Sequence, residues 1–234
     1  MTIKRTNKTT QNNKDAKKPF KSKNKRNNTD FNLNNSEKKH KNFMYQNLTK
    51  ARCYNCDFSS SNFDFVSFRG SSMKSCRFSF CSFKGSEFIG TNLKESNFNK
   101  ATFENVVFES AKLVDVDFKD AEFINTIFLS TDLSEAKNLK MDDENIRIYE
   151  SMPEIEISDL LKEALEKAMT NKYVKQSRVL DTREGKINHL SVMILLENFS
   201  EEEIVNGLNQ VNEMIDRDFY ALSFIISLIK RTNS

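Results

Sequence analysis

The sequence is poor in the residues on which most chemistry depends. Its 234 residues include two histidines, five glycines, four cysteines and no tryptophan. Five scattered glycines cannot build the loop that cradles a phosphate with its backbone N–H groups. His40 lies in a basic N-terminal stretch. His189 lies in an apolar segment, where a packed or capping ring is the ordinary reading. No nucleophile motif occurs, nor any set of metal ligands at useful spacing. Long apolar runs are also missing. The longest, 221–229, is interrupted by serine and falls far short of the roughly 20 residues of a membrane helix. The N-terminus is polar and lacks the apolar core of a signal peptide. These absences predict a soluble, cytoplasmic chain that is not an enzyme, holds no cofactor or metal and makes no membrane contact.

What is present is a period. From Phe43 every fifth residue to Leu133 is apolar, nineteen positions without a slip in register. Twelve of them, Phe58, Phe63, Phe68, Phe78, Phe83, Phe88, Phe98, Phe103, Phe108, Phe118, Phe123 and Phe128, are the predicted core. Two residues before each apolar position stands a mostly small one, such as Ala51, Ser61, Ser86, Ala101 or Ala121. A period of five matches neither an α-helix nor an alternating strand, and a fixed internal period decides the fold. A second period lies within the first. Apart from Leu48 near the irregular start, the apolar positions that are not Phe, namely Cys53, Met73, Leu93, Leu113 and Leu133, are spaced by twenty. Four units of five per coil give a four-sided solenoid of about five coils, with one mixed column and three columns of stacked phenylalanine.

The units Ala-Thr-Phe-Glu-Asn (101–105), Ala-Lys-Leu-Val-Asp (111–115) and Ala-Glu-Phe-Ile-Asn (121–125) resemble the pentapeptide-repeat proteins, whose unit is A(D/N)Lxx. The resemblance covers about residues 41–140. It implies a right-handed quadrilateral β-helix, and it leaves function open because the family serves several unrelated roles.

Charge divides the chain further. Residues 1–42 carry 13 Lys/Arg against 3 Asp/Glu, residues 43–140 carry 12 against 12, and residues 141–234 carry 11 against 18. Residues 1–40 hold too little apolar surface to offset the entropy of ordering, so they read as a disordered basic tail. Residues 41–140 form the solenoid and 141–157 a linker. In 158–234 the period becomes helical: Leu160, Leu161, Ala164, Leu165, Ala168 and Met169 share one face behind Ser158, a good N-cap. Residues 189–199 read as a buried helix, Ser200 with Glu203 as a capping box, and 218–230 as a stretch too apolar to stand exposed. The expected architecture is an all-β solenoid followed by a small α-helical domain. For residues 172–187 the pattern is ambiguous.

Cys53-x-x-Cys56 invites a zinc or redox reading, but the register argues against it. Cys53 occupies an inward apolar position, and Cys56, Cys76 and Cys81 occupy the small inward one. Buried free thiols in place of Ala or Ser are expected.

Outward positions are the ones free to carry function. Ile89, Val107, Ile127 and Leu129 form an apolar patch at the C-terminal end of one side. Such a patch marks a contact: with the chain's own helices, with a second copy, or with a foreign partner. The second half of the solenoid is acidic, with Asp115, Asp117, Asp120 and Glu122 among its outward residues. Two functions follow as expectations. The first is a non-enzymatic scaffold for protein–protein interaction, with a homodimer through the helical domain as one form. The second comes from the resemblance: some family members bind DNA gyrase and protect it from quinolones or toxins by imitating duplex DNA. That mechanism needs a long negative rod. This solenoid is neutral overall and carries a basic tail, which departs from the pattern. A third reading is nonspecific nucleic-acid contact by the tail.

Overall fold

The five-residue unit turns because its last position is left-handed. At residue 35 and every fifth residue to 130, φ lies between +47° and +63°. Asn, Ser, Asp and Gly hold most of these corners, as expected for residues that tolerate this region. Tyr45, Phe65 and Phe80 hold three of them, and bulky rings are uncommon there.

Between corners the chain is extended for only three or four residues. The computed structural model describes residues 31–182 and 184–233. Nine strands occur among them: β1 Asn32–Asn34, β2 Arg52–Tyr54, β3 Ser72–Lys74, β4 Glu87–Ile89, β5 Thr102–Glu104, β6 Val107–Glu109, β7 Glu122–Ile124, β8 Thr126–Leu129 and β9 Ile146–Tyr149. They form three parallel sheets, ordered β1-β2-β3, β4-β6-β8-β9 and β5-β7. Every strand pair joins residues twenty apart, as Phe88 with Phe108 and Phe128 with Ile148. Single bridges such as Asp57 with Arg77 and Asn97 with Asp117 complete the stack at the same offset.

Four faces result. Face 1 carries Leu33, Cys53, Met73, Leu93, Leu113 and Leu133 inward, and face 2 carries Phe58, Phe78, Phe98 and Phe118. Face 3 carries Phe43, Phe63, Phe83, Phe103 and Phe123, and face 4 carries Leu48, Phe68, Phe88, Phe108 and Phe128. Within each phenylalanine column neighbouring rings stack at 4.6–5.6 Å with planes within 13°. The spacing is that of paired strands, so backbone pairing and ring stacking reinforce each other. The twelve predicted core rings are at most 7% exposed.

The small inward position has its own geometry. Its side chain reaches the carbonyl 23 residues back: Ser86 Oγ donates to Phe63 O at 2.6 Å, Thr91 to Phe68 O at 2.8 Å and Ser96 to Met73 O at 2.5 Å. The Cys56 and Cys81 thiols make the same contact, to Leu33 O at 3.3 Å and Phe58 O at 3.2 Å. The thiols thus stand in for hydroxyls.

The stack is longer than the period suggested, with six coils in place of about five. At its start Phe31 and Leu33 pack on the core and β1 pairs with β2, within the stretch expected to be tail. Lys38, Lys41 and Gln46 occupy inward-register positions of that first coil and conceal it in the sequence. The rest of the expected tail, residues 1–30, lies outside the described residues. At the other end β9 falls inside the expected linker 141–157 and pairs with β8.

Five helices follow: α1 Asp159–Met169, α2 Lys172–Ser177, α3 His189–Asn198, α4 Glu201–Met214 and α5 Leu222–Thr232. Ser158 caps α1 by accepting from Leu161 N, and Ser200 with Glu203 forms the capping box of α4. The ambiguous stretch 172–187 resolves into α2 and a short antiparallel bridge from Asp181 to Ile187. The helices have their own core, which includes Leu161, Leu165, Leu195, Ile204, Leu208 and Ile225. Gly207 lets α4 and α5 approach, since a Cβ there would lie 2.7 Å from Cγ1 of Ile229. Among the described residues no helix is long and apolar enough to cross a membrane.

Candidate functional site at the solenoid–helix junction

The helical domain lies along face 4. The outward residues of that face, in coil order, include Ser67, Arg69, Glu87, Ile89, Val107, Glu109, Ile127, Leu129, Arg147 and Tyr149. The upper part is apolar. Ile127 and Leu129 are buried against Leu190 of α3, with Val107, Tyr149, Met152, Met193 and Ile194 packed around them. The patch predicted from sequence is therefore occupied by the chain's own helices, and Ile127 and Leu129 are not a free surface. Ile89 stays half-buried at the edge of the same junction.

Beside it in the last coil, Arg147 on β9 pairs with Glu197 of α3 at 2.5 Å. The lower part, in the coils of Arg69 and Glu87, is polar. Arg69 donates to the carbonyl of Arg178 at 3.3 Å. Glu87 is the centre of this region and only 7% exposed. Its Oε1 accepts from the backbone N–H of Leu222 at 2.7 Å. Its Oε2 makes no hydrogen bond and lies 3.9 Å from Arg69 Nη2. Burial pushes the Glu87 carboxyl above its usual range, and the pull of Arg69 and of the Leu222 N–H only partly offsets it.

The acidic residues named from sequence do not join this site. Asp115 sits at the corner between faces 1 and 2 and pairs with Lys137 at 2.7 Å. That contact holds its carboxyl below the usual range. Asp117, on face 2, accepts from Asn138 Nδ2 at 2.6 Å and from Lys119 N at 3.0 Å. Asp120 and Glu122 are exposed, at the next corner and on face 3. Part of the acidity is paired on the spot: besides Asp115, Glu104 pairs with Lys84 at 2.5 Å.

The remaining candidates are structural. His189 opens α3, and its Nδ1 accepts from the N–H of Ile155 at 3.4 Å. All four cysteines are buried and free. Burial pushes the thiols of Cys53, Cys76 and Cys81 up to about 12. Among the described residues no group of three His, Cys, Asp or Glu side chains could hold a metal.

The sequence reading missed Glu87, Arg69 and Arg147. A charged residue at an outward solenoid position is the rule, so nothing local marks these three. The one available signal is position. All three share the face that carries the apolar patch, and a helical domain covering that patch has to satisfy them as well.

Comparison with known proteins fits this geometry. The pentapeptide-repeat family model (Pentapeptide repeats, 8 copies) matches residues 42–74, and the SV2A/B/C luminal domain model matches residues 81–148. Both matches fall on the solenoid. The chain carries pentapeptide repeats folded as a β-helix, with a helical domain after it. Among solved structures it is similar to the pentapeptide repeat protein Rfr23 from the cyanobacterium Cyanothece 51142, at 18% identity over 50% of this chain and 83% of that one, TM-score 0.33. It is also similar to trypsin-treated QnrB1, a plasmid-mediated fluoroquinolone resistance protein, at 16% identity over 51% and 82%, TM-score 0.27. A third is a pentapeptide repeat protein from the thylakoid lumen of Arabidopsis thaliana, at 11% identity over 68% and 88%, TM-score 0.25. No curated protein matches the chain.

Proposed function

We propose that this chain is a non-enzymatic scaffold that binds another protein through the open sides of its solenoid. One observation carries the reading. Face 4 is closed by the helical domain, whereas face 3 is open and bears large exposed apolar side chains. Phe80 is 60% exposed at one of its corners, Tyr45 is 62% exposed at the other, and Ile124 is 46% exposed between them. Phe80 also sits at a left-handed corner, where Asn or Gly costs less. Exposed aromatic anchors on a rigid support are what protein interfaces use.

The topoisomerase reading is less well supported. A DNA mimic displays unneutralised acidic residues along a rod. Here Asp115 and Glu104 are spent on Lys137 and Lys84, and the acidic stretch is short.

A photo-crosslinking amino acid at position 80 or 124, in cells that make the protein, tests the scaffold. The expected result is one discrete crosslinked protein from these positions and none from the exposed face 1 position 112. Equal labelling from all three positions, or none, defeats the reading. A gyrase supercoiling assay with and without a quinolone separates the alternative, for which inhibition or protection is required.

A further inference from the structure

Face 1 carries a charge pattern that the other open faces lack. In coils two to four, its strands and the corners on either side hold Lys50, Arg52, Lys74 and Lys94 against Glu95 alone. Over the same coils face 2 balances Arg77 and Lys100 with Asp57 and Glu95, and face 3 balances Lys84 and Lys100 with Asp64 and Glu104. Lys112 extends the series into the fifth coil, so one cation follows another up the face. None of these side chains is buried. Lys94 lies 3.6 Å from Glu95. Among the described residues Lys50, Arg52, Lys74 and Lys112 have no ion pair. The other acids of the face stand higher. Asp115 is held by Lys137, and Asp132 and Glu135 belong to the last coil. Below, the chain enters the solenoid on this same face, at β1. Residues 1–30, which precede it, hold ten Lys/Arg against two Asp/Glu.

An aromatic ring stands among the cations. Tyr54 is 51% exposed. It pairs in register with Lys74 of the next coil, about 4.8 Å away along the stack. Arg52, two residues earlier on β2, points to the same side. Cations in a line with an exposed ring between them are what a single strand of nucleic acid needs: the cations take phosphates and the ring takes a base. A duplex keeps its bases in its own stack and offers the ring nothing. An acidic peptide offers charge and no base.

We propose that face 1 binds single-stranded nucleic acid, with Arg52, Lys74, Lys94 and Lys112 on the phosphates and Tyr54 stacked on a base. This goes beyond the protein-binding reading, which rests on face 3, and leaves that face free.

Fluorescence anisotropy on the full chain tests it, with a labelled oligothymidine about 15 nucleotides long and an abasic strand of the same length. The two carry the same phosphates and differ only in their bases. The wild-type protein is expected to bind the oligothymidine at least fivefold more tightly, the lower end of what stacking one base contributes. Tyr54→Ala should erase that preference, and Tyr54→Phe should keep it. Lys74→Gln with Lys94→Gln should lower the slope of log affinity against log salt by about 1.4, two contacts at ~0.7 each. Lys119→Gln with Lys140→Gln makes the same charge change outside face 1 and should leave the slope as it was. All these side chains point outward, so the inward columns are untouched, and unchanged circular dichroism checks the fold. The proposal fails if the abasic strand binds as well as the oligothymidine, which would mean a surface for any polyanion. It fails if Tyr54→Ala keeps the preference. It fails equally if the two lysine pairs change the slope alike, because binding would then belong to net charge or to residues 1–30 and not to face 1.

Discussion

Glu87 and Leu222 are 135 residues apart, and the carboxylate of the first accepts the backbone N–H of the second at 2.7 Å. Leu222 is the first residue of α5, whose N-cap Ala221 has no side chain able to cap it. The β-helix therefore supplies the cap that the helix lacks, and its negative charge lies at the positive end of the helix. Glu87→Ala removes that cap and leaves a buried N–H unpaired. A loss of about 1–3 kcal/mol is expected in the unfolding of the helical domain, with the β signal of the solenoid melting as before. Domain-resolved hydrogen exchange is the direct measurement.

The same carboxyl sets a pH dependence. Its folded pKa is raised above the unfolded value near 4.5, chiefly by burial. The folded state therefore holds the proton more tightly. The associated stability is present below pH 4.5 and is lost as pH rises through the folded pKa. The charged groups facing it are Arg69 and Glu109 on face 4, with Lys230 of α5 lining the same solenoid–helix junction. Glu87→Gln cannot ionise. Its melting temperature relative to wild type should rise between pH 4 and pH 8, and a constant difference across that range would contradict the account.

Two phenylalanines separate core from surface. Phe98 is fully buried between Phe78 and Phe118, and Phe80 is 60% exposed at a corner. Phe98→Ala should cost about 3–5 kcal/mol. Phe80→Asn should stay within about 1 kcal/mol, because Asn accepts the left-handed corner while the contact of Lys100 over the ring is lost. Urea titrations of both variants decide the point, and similar losses would mean that the inward register is misassigned.

Ile127→Asp places a carboxylate against Leu190 in a buried cluster. The helical domain is expected to leave face 4 while the solenoid stays folded. Small-angle scattering should then report a more extended particle with unchanged far-ultraviolet circular dichroism. Loss of the β signal would instead place Ile127 in the solenoid's own core.

The cysteines give a chemical test. With Cys53, Cys76 and Cys81 pushed up to about 12 and all four thiols buried, none should react with a disulfide reagent at pH 8 in the native state. All four should react in denaturant. Rapid modification of any one in the native protein would show an opening in the first coils.

The solenoid was legible because its constraint is strictly periodic. The stack tolerates only apolar residues at one position in five, so the series from Leu48 to Leu133 reads directly. The end coils were less so. Lys38 and Gln46 break the pattern below β2, and the inward residue of the last coil is Ile146 while Ile148, in register, is 44% exposed. Edge coils have one neighbour, and the demand on their side chains is weaker. The junction was legible only as an apolar patch. Its polar half depends on which residues of the helical domain arrive opposite Arg69, Glu87 and Arg147. That pairing is a property of docking, and no local spacing encodes it.

The left-handed corner at every fifth residue makes this molecule count. Four corners complete a turn, so a deletion of twenty residues shortens the stack and leaves everything beyond it pointing the same way. A deletion of five between β4 and β8 rotates all that follows by a quarter turn. Ile127 and Leu129 turn with the helical domain, but the earlier coils then present a neighbouring side, with no Glu87 to meet α5. Chain length between β4 and β8 thus works as an angular address, and only whole coils can be gained or lost there without changing which side of the earlier coils is closed.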